Sequence, residues 1–374
     1  MNNIQRLSRR LFLQSIFTAI AVTGMVVAAP PEGVLDTSHA SVKAVMAVQG
    51  DVTPGLMKQA GILGTAVGLD EKNQPVLVVY VDKDSAGVAA LVQSIPPQLR
   101  GVGVRAELTE KFRAFKGKPG GGTTTVSHTA KQAAPIQLGT SGGWRNDLAN
   151  GYCCGGTLGS LIQVNSYQYI LSNYHVFESD IVLGGNNLVA TTGSPVIQPG
   201  LIDVSCNANS AQNVGSLVKI SSLPNNNVDC AVALASAGMV STNGAILEIG
   251  PLSAQTVDAF LNQAVKKSGR TTGLTRSKIS GLNATISVSY ENECAGATVF
   301  TKTFTGQIVI ANSRSSFLNS GDSGSLMVED VTTKPRAVGL LFAGSSTSAI
   351  ANPINEVLQF VGTALGGTAT MVGN

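Results

Sequence analysis

"NSGDSGSLMV", residues 319–328, sets an Asp-Ser pair between two glycines and follows it with an apolar run. A serine hydroxyl is a weak nucleophile unless a neighbouring base takes its proton. That base is usually a histidine held in one tautomer by a carboxylate. The meaning of Ser323 therefore depends on the bases and acids in the rest of the chain, which has three histidines: His39, His128 and His175.

His39 falls near the N-terminus. His128 falls in "KGKPGGGTTTVSHTAKQAA" (116–134), where it reads as a solvated linker residue. His175 lies in "YQYILSNYHVF" (167–177), a strand paired across an Asn-Ser turn with "GGTLGSLIQV" (155–164). That hairpin delivers His175 at the end of a rigid strand, a good place to fix a base. The orienting acid is Asp229 in "NNNVDCAVALA" (225–235), because a carboxylate opening a buried strand needs a partner. Asp180 and Asp203 sit in polar loop sequence and read as solvated. The order His175, Asp229, Ser323 excludes an α/β-hydrolase, which runs serine, acid, histidine through Gly-x-Ser-x-Gly. Ser325 stands where that motif needs its second glycine.

Six stretches now appear in order: "CGGTLGSLI" (154–162), "YILSNYHV" (169–176), "VDCAVA" (228–233), "KSGRTTGLT" (267–275), "GDSGS" (321–325) and "VGLLFAG" (338–344). Together they resemble the trypsin-like serine peptidases of the chymotrypsin clan, in the exported bacterial type with a small α/β unit ahead of the peptidase domain. The resemblance implies two six-stranded barrels with the active site in the cleft between them. His175 would be the base, Asp229 its orienter, Ser323 the nucleophile, and the N–H groups of Gly321 and Ser323 the oxyanion hole. It also implies a substrate pocket at Phe317, Phe342, Ala343 and Gly344. Phe317 stands where trypsin-type enzymes carry the acid that binds Lys or Arg, so the expected side chain before the cleaved bond is apolar or small.

Two positions depart from the family pattern. Val176 stands where many relatives have the cysteine that pairs with that of "CGGTL", which leaves Cys154 without its usual partner. Phe342 stands where many relatives offer a serine to the catalytic acid, and Ser172 is the nearby candidate to replace it. Asp322 is expected to find an internal partner, since "AAPIQLGTSGGW" (133–144) lacks the Ile-Val-Gly-Gly-like start of insertion-activated relatives. Arg270 is a candidate for an internal ion pair, and Lys267 is a remote alternative base.

Composition fits a mainly β protein: hydrophobic residues make up 43%, charged residues only 13%, and Gly, Ser, Thr, Val and Asn are frequent. Arg6, Arg9 and Arg10 account for the net charge of +3. Without them the chain is neutral, which argues against a nucleic-acid partner or a membrane surface held by bulk charge. Residues 1–29 read as an export signal, with "SRRLFLQ" (8–14) twin-arginine-like and small residues Val27-Ala28-Ala29 at the cleavage site. Residues 30–115 read as a small α/β domain, either a propeptide or a retained accessory unit. Within it, "GILGTAVGLD" and "PVLVVYVD" form paired strands, Asp84 caps a helix, and "GVGVRAELTE" is a third strand. Residues 116–134 read as a flexible linker, and residues 135–374 as the peptidase domain ending in a helix at "NPINEVLQFVGTAL" (352–365).

Of the five cysteines, Cys206 and Cys230 are the candidate disulfide pair; the odd number leaves at least one thiol over. No metal-ligand cluster or phosphate loop survives scrutiny, so no cofactor is expected. The partners expected are peptide or protein substrates, and the location is periplasmic or extracellular, with no stable membrane anchor once the signal is removed. The alternatives are a non-catalytic binding or adhesion protein on a peptidase scaffold, and an esterase-like hydrolase using the same triad.

Overall fold

In a computed structural model of the chain, the structure describes residues 33–114, 126–149, 152–178, 188–292 and 297–374. The export signal, Asp180, Cys294 and the first part of the expected linker lie outside them. No helix among the described residues is long and apolar enough to cross a membrane.

The N-terminal unit begins with α1 (Ala40–Leu56), then β1 (Ile62–Leu69) and β2 (Pro75–Asp82), α2 (Val88–Ser94), and β3 (Gln98–Leu99), β4 (Val102–Thr109) and β5 (Phe112–Ala114). β1 and β2 form the expected antiparallel hairpin, while β4 lies parallel to β2 after the α2 crossover. α1 has a weak sequence signal. It buries Val42, Val45, Gln49 and Thr53 at helical spacing, but two of those four are polar and hydrogen-bond to Thr65 of β1. Apolar periodicity alone therefore does not reveal it. Asp84 is not the cap of α2: Gly87 holds that position, with no side-chain cap bond.

The first sheet after the N-terminal unit contains β6 (Thr140–Trp144), β9 (Gly156–Leu158), β10 (Ser160–Val164), β11 (Tyr167–Ser172), β12 (Pro195–Gln198), β13 (Gln212–Val218) and β14 (Ala231–Ala235). A two-stranded ribbon, β7 (Leu148–Ala149) and β8 (Tyr152–Cys153), stands beside it. Its hydrogen bonds run β10-β11-β14-β13-β12-β6-β9, so its first and last strands are neighbours in sequence and the sheet curls round an apolar core. The second sheet contains β15 (Ala264–Gly269), β16 (Gly273–Asn292), β17 (Ala297–Ala311), β18 (Leu326–Glu329), β19 (Ala337–Gly344) and β20 (Ser348–Pro353). Here β15-β18-β19-β20-β17-β16 is closed by a β15–β16 pairing, giving a six-stranded barrel. Helix α4 (Ile354–Leu365) follows as expected, and β21 (Ala369–Met371) adds to the edge of β10. The protein is mainly β, with the chymotrypsin-like double-barrel arrangement.

The N-terminal unit is joined to the second barrel by backbone hydrogen bonds. β1 pairs with β16, and β5 lies between β16 and β19. Two apolar cores are shared across this junction. Val67 and Leu77 pack with Ile308 and Leu341 in one; Tyr80 and Phe112 pack with Phe304 and Phe342 in the other.

His128 is not a solvated linker residue. It is 2% exposed, its Nδ1 bonds the Gly139 carbonyl at 2.7 Å and its Nε2 bonds Glu248 at 2.7 Å. Asp203 is not solvated either, for it pairs with the buried Arg270 guanidinium through two bonds of 2.9 and 2.5 Å. Cys206 bonds Cys153 and not Cys230, which is a buried free thiol. Cys154 is disulfide-bonded despite Val176. These partners are set by loop packing, which residue spacing does not encode.

Candidate active site

β11 ends at Ser172, and the chain then makes one helical turn, α3 (Tyr174–Phe177), carrying His175. Asn173, the residue before that turn, donates its side-chain amide to the Asp229 carbonyl at 2.7 Å. This bond ties the histidine turn to the segment entering β14. Asp229 is fully buried, and its carboxylate is satisfied by three donors. Oδ1 accepts the Tyr174 N–H at 2.7 Å; Oδ2 accepts His175 Nδ1 at 2.7 Å and the Tyr290 hydroxyl at 2.8 Å. A carboxylate only accepts, so the proton of neutral His175 sits on Nδ1 and Nε2 is left with a lone pair.

Ser323 lies in a tight turn of the second barrel whose two glycines, Gly321 and Gly324, each have φ of 92°. That left-handed conformation is costly for residues with a Cβ. Asp322, fully buried, fixes the turn. It accepts the N–H groups of Thr271, Thr272 and Asn319 and the Thr272 hydroxyl, and lies 3.3 Å from the equally buried Lys267 ammonium. Burial pulls the Lys267 pKa down, against the opposing pull of Asp322. Lys267 also donates to the Thr272 hydroxyl and the Gly273 carbonyl. It is thus the internal partner of Asp322, placed to hold a loop and not to act as a base toward Ser323.

The two halves meet at β9. Thr157 donates its N–H to the Ser323 carbonyl and its hydroxyl to the Gly321 carbonyl, each at 2.9 Å. A Cβ at Gly156 would lie 2.7 Å from the Val176 side chain and 3.1 Å from the Ser323 carbonyl. Val176, the neighbour of His175, and Ser323 therefore flank the same point of β9. Among the described residues, neither the Gly321 nor the Ser323 N–H donates to a protein acceptor. The link between serine and base is open: His175 Nε2 has no hydrogen-bond partner among the described residues, and the Ser323 hydroxyl points to the Phe342 carbonyl at 3.4 Å. Bonds of this kind often tighten only when substrate is bound.

Of the four expected pocket residues, Ala343 and Gly344 line a cavity of about 350 Å³ that reaches Ser323. Phe317 and Phe342 do not. Phe317 packs in the second-barrel core, and Phe342 lies 4.9 Å from Phe304 on the other side of β19. The β19–β20 register shifts between Leu341 and Ala343, which strict alternation along the strand does not anticipate. The second barrel supplies uncharged walls, including Leu318, Asn319, Ser345 and Ser346. The charged walls, Asp82, Asp84, Glu110, Lys111 and Arg113, all come from the N-terminal unit. Glu110 bonds the Ser346 hydroxyl at 2.6 Å, and Lys83 first, then that hydroxyl, hold its carboxyl down to about 2.

Ser172 does not support Asp229, since its hydroxyl bonds the Thr157 carbonyl at 2.7 Å. The donor is Tyr290, which the sequence reading does not single out. It lies 61 residues from Asp229 along the chain, in a hairpin with no local signature.

A sequence model of the Nal1 C-terminal domain matches residues 223–352, a span that contains Asp229 and Ser323 but not His175. No curated protein matches. Solved structures similar to this chain include protease A of Thermobifida fusca, at 16% identity and TM-score 0.39, covering 64% of this chain and all but 1% of that one at 99%. A chymotrypsin of Cellulomonas bogoriensis matches at 21% identity and TM-score 0.33, covering 58% of this chain and 91% of its own. A Nocardiopsis protease matches at 14% and 0.36, covering 62% and 97%.

Proposed function

We propose that the chain is a serine endopeptidase that cleaves through an acyl-enzyme intermediate. The observation that carries this reading is the convergence at β9. It gathers the turn that carries His175, with Nδ1 held by a buried carboxylate and Nε2 without a partner, the turn that carries Ser323, and two backbone N–H groups with no protein acceptor among the described residues. In the proposed reaction the Ser323 hydroxyl leaves the Phe342 carbonyl and attacks the peptide carbon as His175 Nε2 takes its proton. The imidazolium then gives that proton to the leaving amine, and water repeats the sequence to release the acyl group. The Gly321 and Ser323 N–H groups receive the developing oxyanion; one such donor contributes about 3 kcal/mol. Uncharged walls on the catalytic side support an apolar or small side chain in the pocket.

The N-terminal unit reads as a propeptide that blocks this cleft. β5 bonds antiparallel to β19 at Gly344, along the edge that an extended substrate would otherwise use. Phe112 anchors it, fully buried against Tyr80 in an edge-to-face contact at 5.5 Å; burying such a ring contributes about 1.5–3 kcal/mol. From Ala114 the chain passes into "FKGKPGGGTTT" (115–125), whose composition suits a processing site. The Cys153–Cys206 disulfide and the bonded Cys154 support an exported, oxidising location.

The open serine–histidine link favours a second reading, a non-catalytic binding protein. Digestion of a peptide mixture by the chain nicked within 115–125, beside its Ser323→Ala variant, separates the two. Cleavage after small or apolar residues that disappears in the variant is the expected result. Ester hydrolysis without peptide cleavage would leave an esterase, and no Ser323-dependent turnover would leave the binding protein.

A further inference from the structure

We infer that Tyr290 is a positioning residue for the His175–Asp229 pair, acting through its hydroxyl and not through its ring. This rests on the peptidase reading for its consequence in turnover, but not for its geometry. Tyr290 is 4% exposed and lies near the end of β16. Its ring stacks on Phe300 at 4.5 Å with the planes 8° apart, and meets the His175 ring edge-on at 6.0 Å. That packing would be equally available to a phenylalanine. What the hydroxyl adds is a bond of 2.8 Å to Asp229 Oδ2, the same oxygen that accepts from His175 Nδ1.

A buried hydroxyl without a partner loses its water for nothing, so this one is stable here only because Asp229 accepts it. Burial first, then the charge of Asp229, pushes the phenol well above its ordinary pKa, so it stays a neutral donor at any working pH. Together with the Tyr174 N–H on Oδ1, it pins both oxygens of the carboxylate and hence the plane of the imidazole. Phe342 faces the core and Ser172 is committed to Thr157, so neither competes for this task.

The test compares the wild-type chain, Tyr290→Phe and Phe300→Leu, each nicked within 115–125 for kinetics and intact for spectroscopy. Tyr290→Phe keeps the stacked ring, so it should still fold cooperatively, with a melting temperature lowered only by the lost bond. Its kcat should fall roughly ten- to hundredfold with KM unchanged, the effect of one lost bond to a charged group. The downfield proton resonance of His175 Nδ1–H should move. Phe300→Leu, which removes stacking but keeps the hydroxyl, should leave that resonance in place. Wild-type kcat and an unmoved resonance in Tyr290→Phe would overturn the assignment. A wild-type chain without Ser323-dependent turnover would remove the peptidase reading instead, and the resonance in the intact chain would then decide alone.

Discussion

Asp229→Asn should leave the fold intact and lower kcat by about 10⁴-fold. The size follows from the donors around the carboxylate. The Tyr174 N–H is a fixed backbone donor at 2.7 Å from Oδ1, so an amide at this site must place its carbonyl oxygen there. Its NH₂ then faces His175 Nδ1, two donors cannot share one bond, and the ring must carry its proton on Nε2 instead. That tautomer has no lone pair for the proton of Ser323. Turnover by the nicked variant, with its melting temperature as a check on folding, measures the effect. A kcat within tenfold of wild type would mean that Asp229 does not set the tautomer.

Lys267→Met should cost about 3–5 kcal/mol of stability, the usual consequence of leaving one member of a buried ion pair uncompensated. Both Lys267 and Asp322 have no exposed side-chain surface and lie 3.3 Å apart. Methionine fills much of the same volume, so the loss reflects the stranded carboxylate more than a cavity. The turn that Asp322 organises also presents the Gly321 and Ser323 N–H groups, so activity should fall with stability. Adding Asp322→Asn to Lys267→Met removes the stranded charge and should recover most of the stability. Denaturant unfolding of the single and double variants checks both statements. A single variant within 1 kcal/mol of wild type, a margin small beside the ~3–5 kcal/mol cost of a broken buried pair, would show the pair to be replaceable.

How much of this was legible in the sequence depended on whether the signal was local. His175, Asp229 and Ser323 could be nominated because each sits in a short stretch of distinctive chemistry and the chain has few histidines. The β1–β2 hairpin, the β10–β11 hairpin and α4 followed from alternation, turn residues and helical spacing. Features set by long-range packing were not legible. Tyr290 of the second barrel meets Asp229 at the start of β14 in the first sheet, His128 meets Glu248 across 120 residues, and Cys206 finds Cys153 instead of Cys230. The resemblance places Phe342 in the pocket, whereas in the structure it packs on Phe304 in the core, at a register shift in β19. The placement of β5 against β19 is not legible either, since its three residues carry no mark of the strand they join.

The most direct measurement of the central claim is covalent labelling of Ser323 by a fluorophosphonate probe. It is made on the intact chain, on the chain nicked within 115–125 and freed of its N-terminal unit, and on Ser323→Ala. Strong labelling of the freed chain at Ser323, weak labelling of the intact chain and none of the variant is the predicted result. It would mean an activated nucleophile whose cleft β5 had covered. A freed chain that remains folded and does not label would contradict the triad as an active assembly.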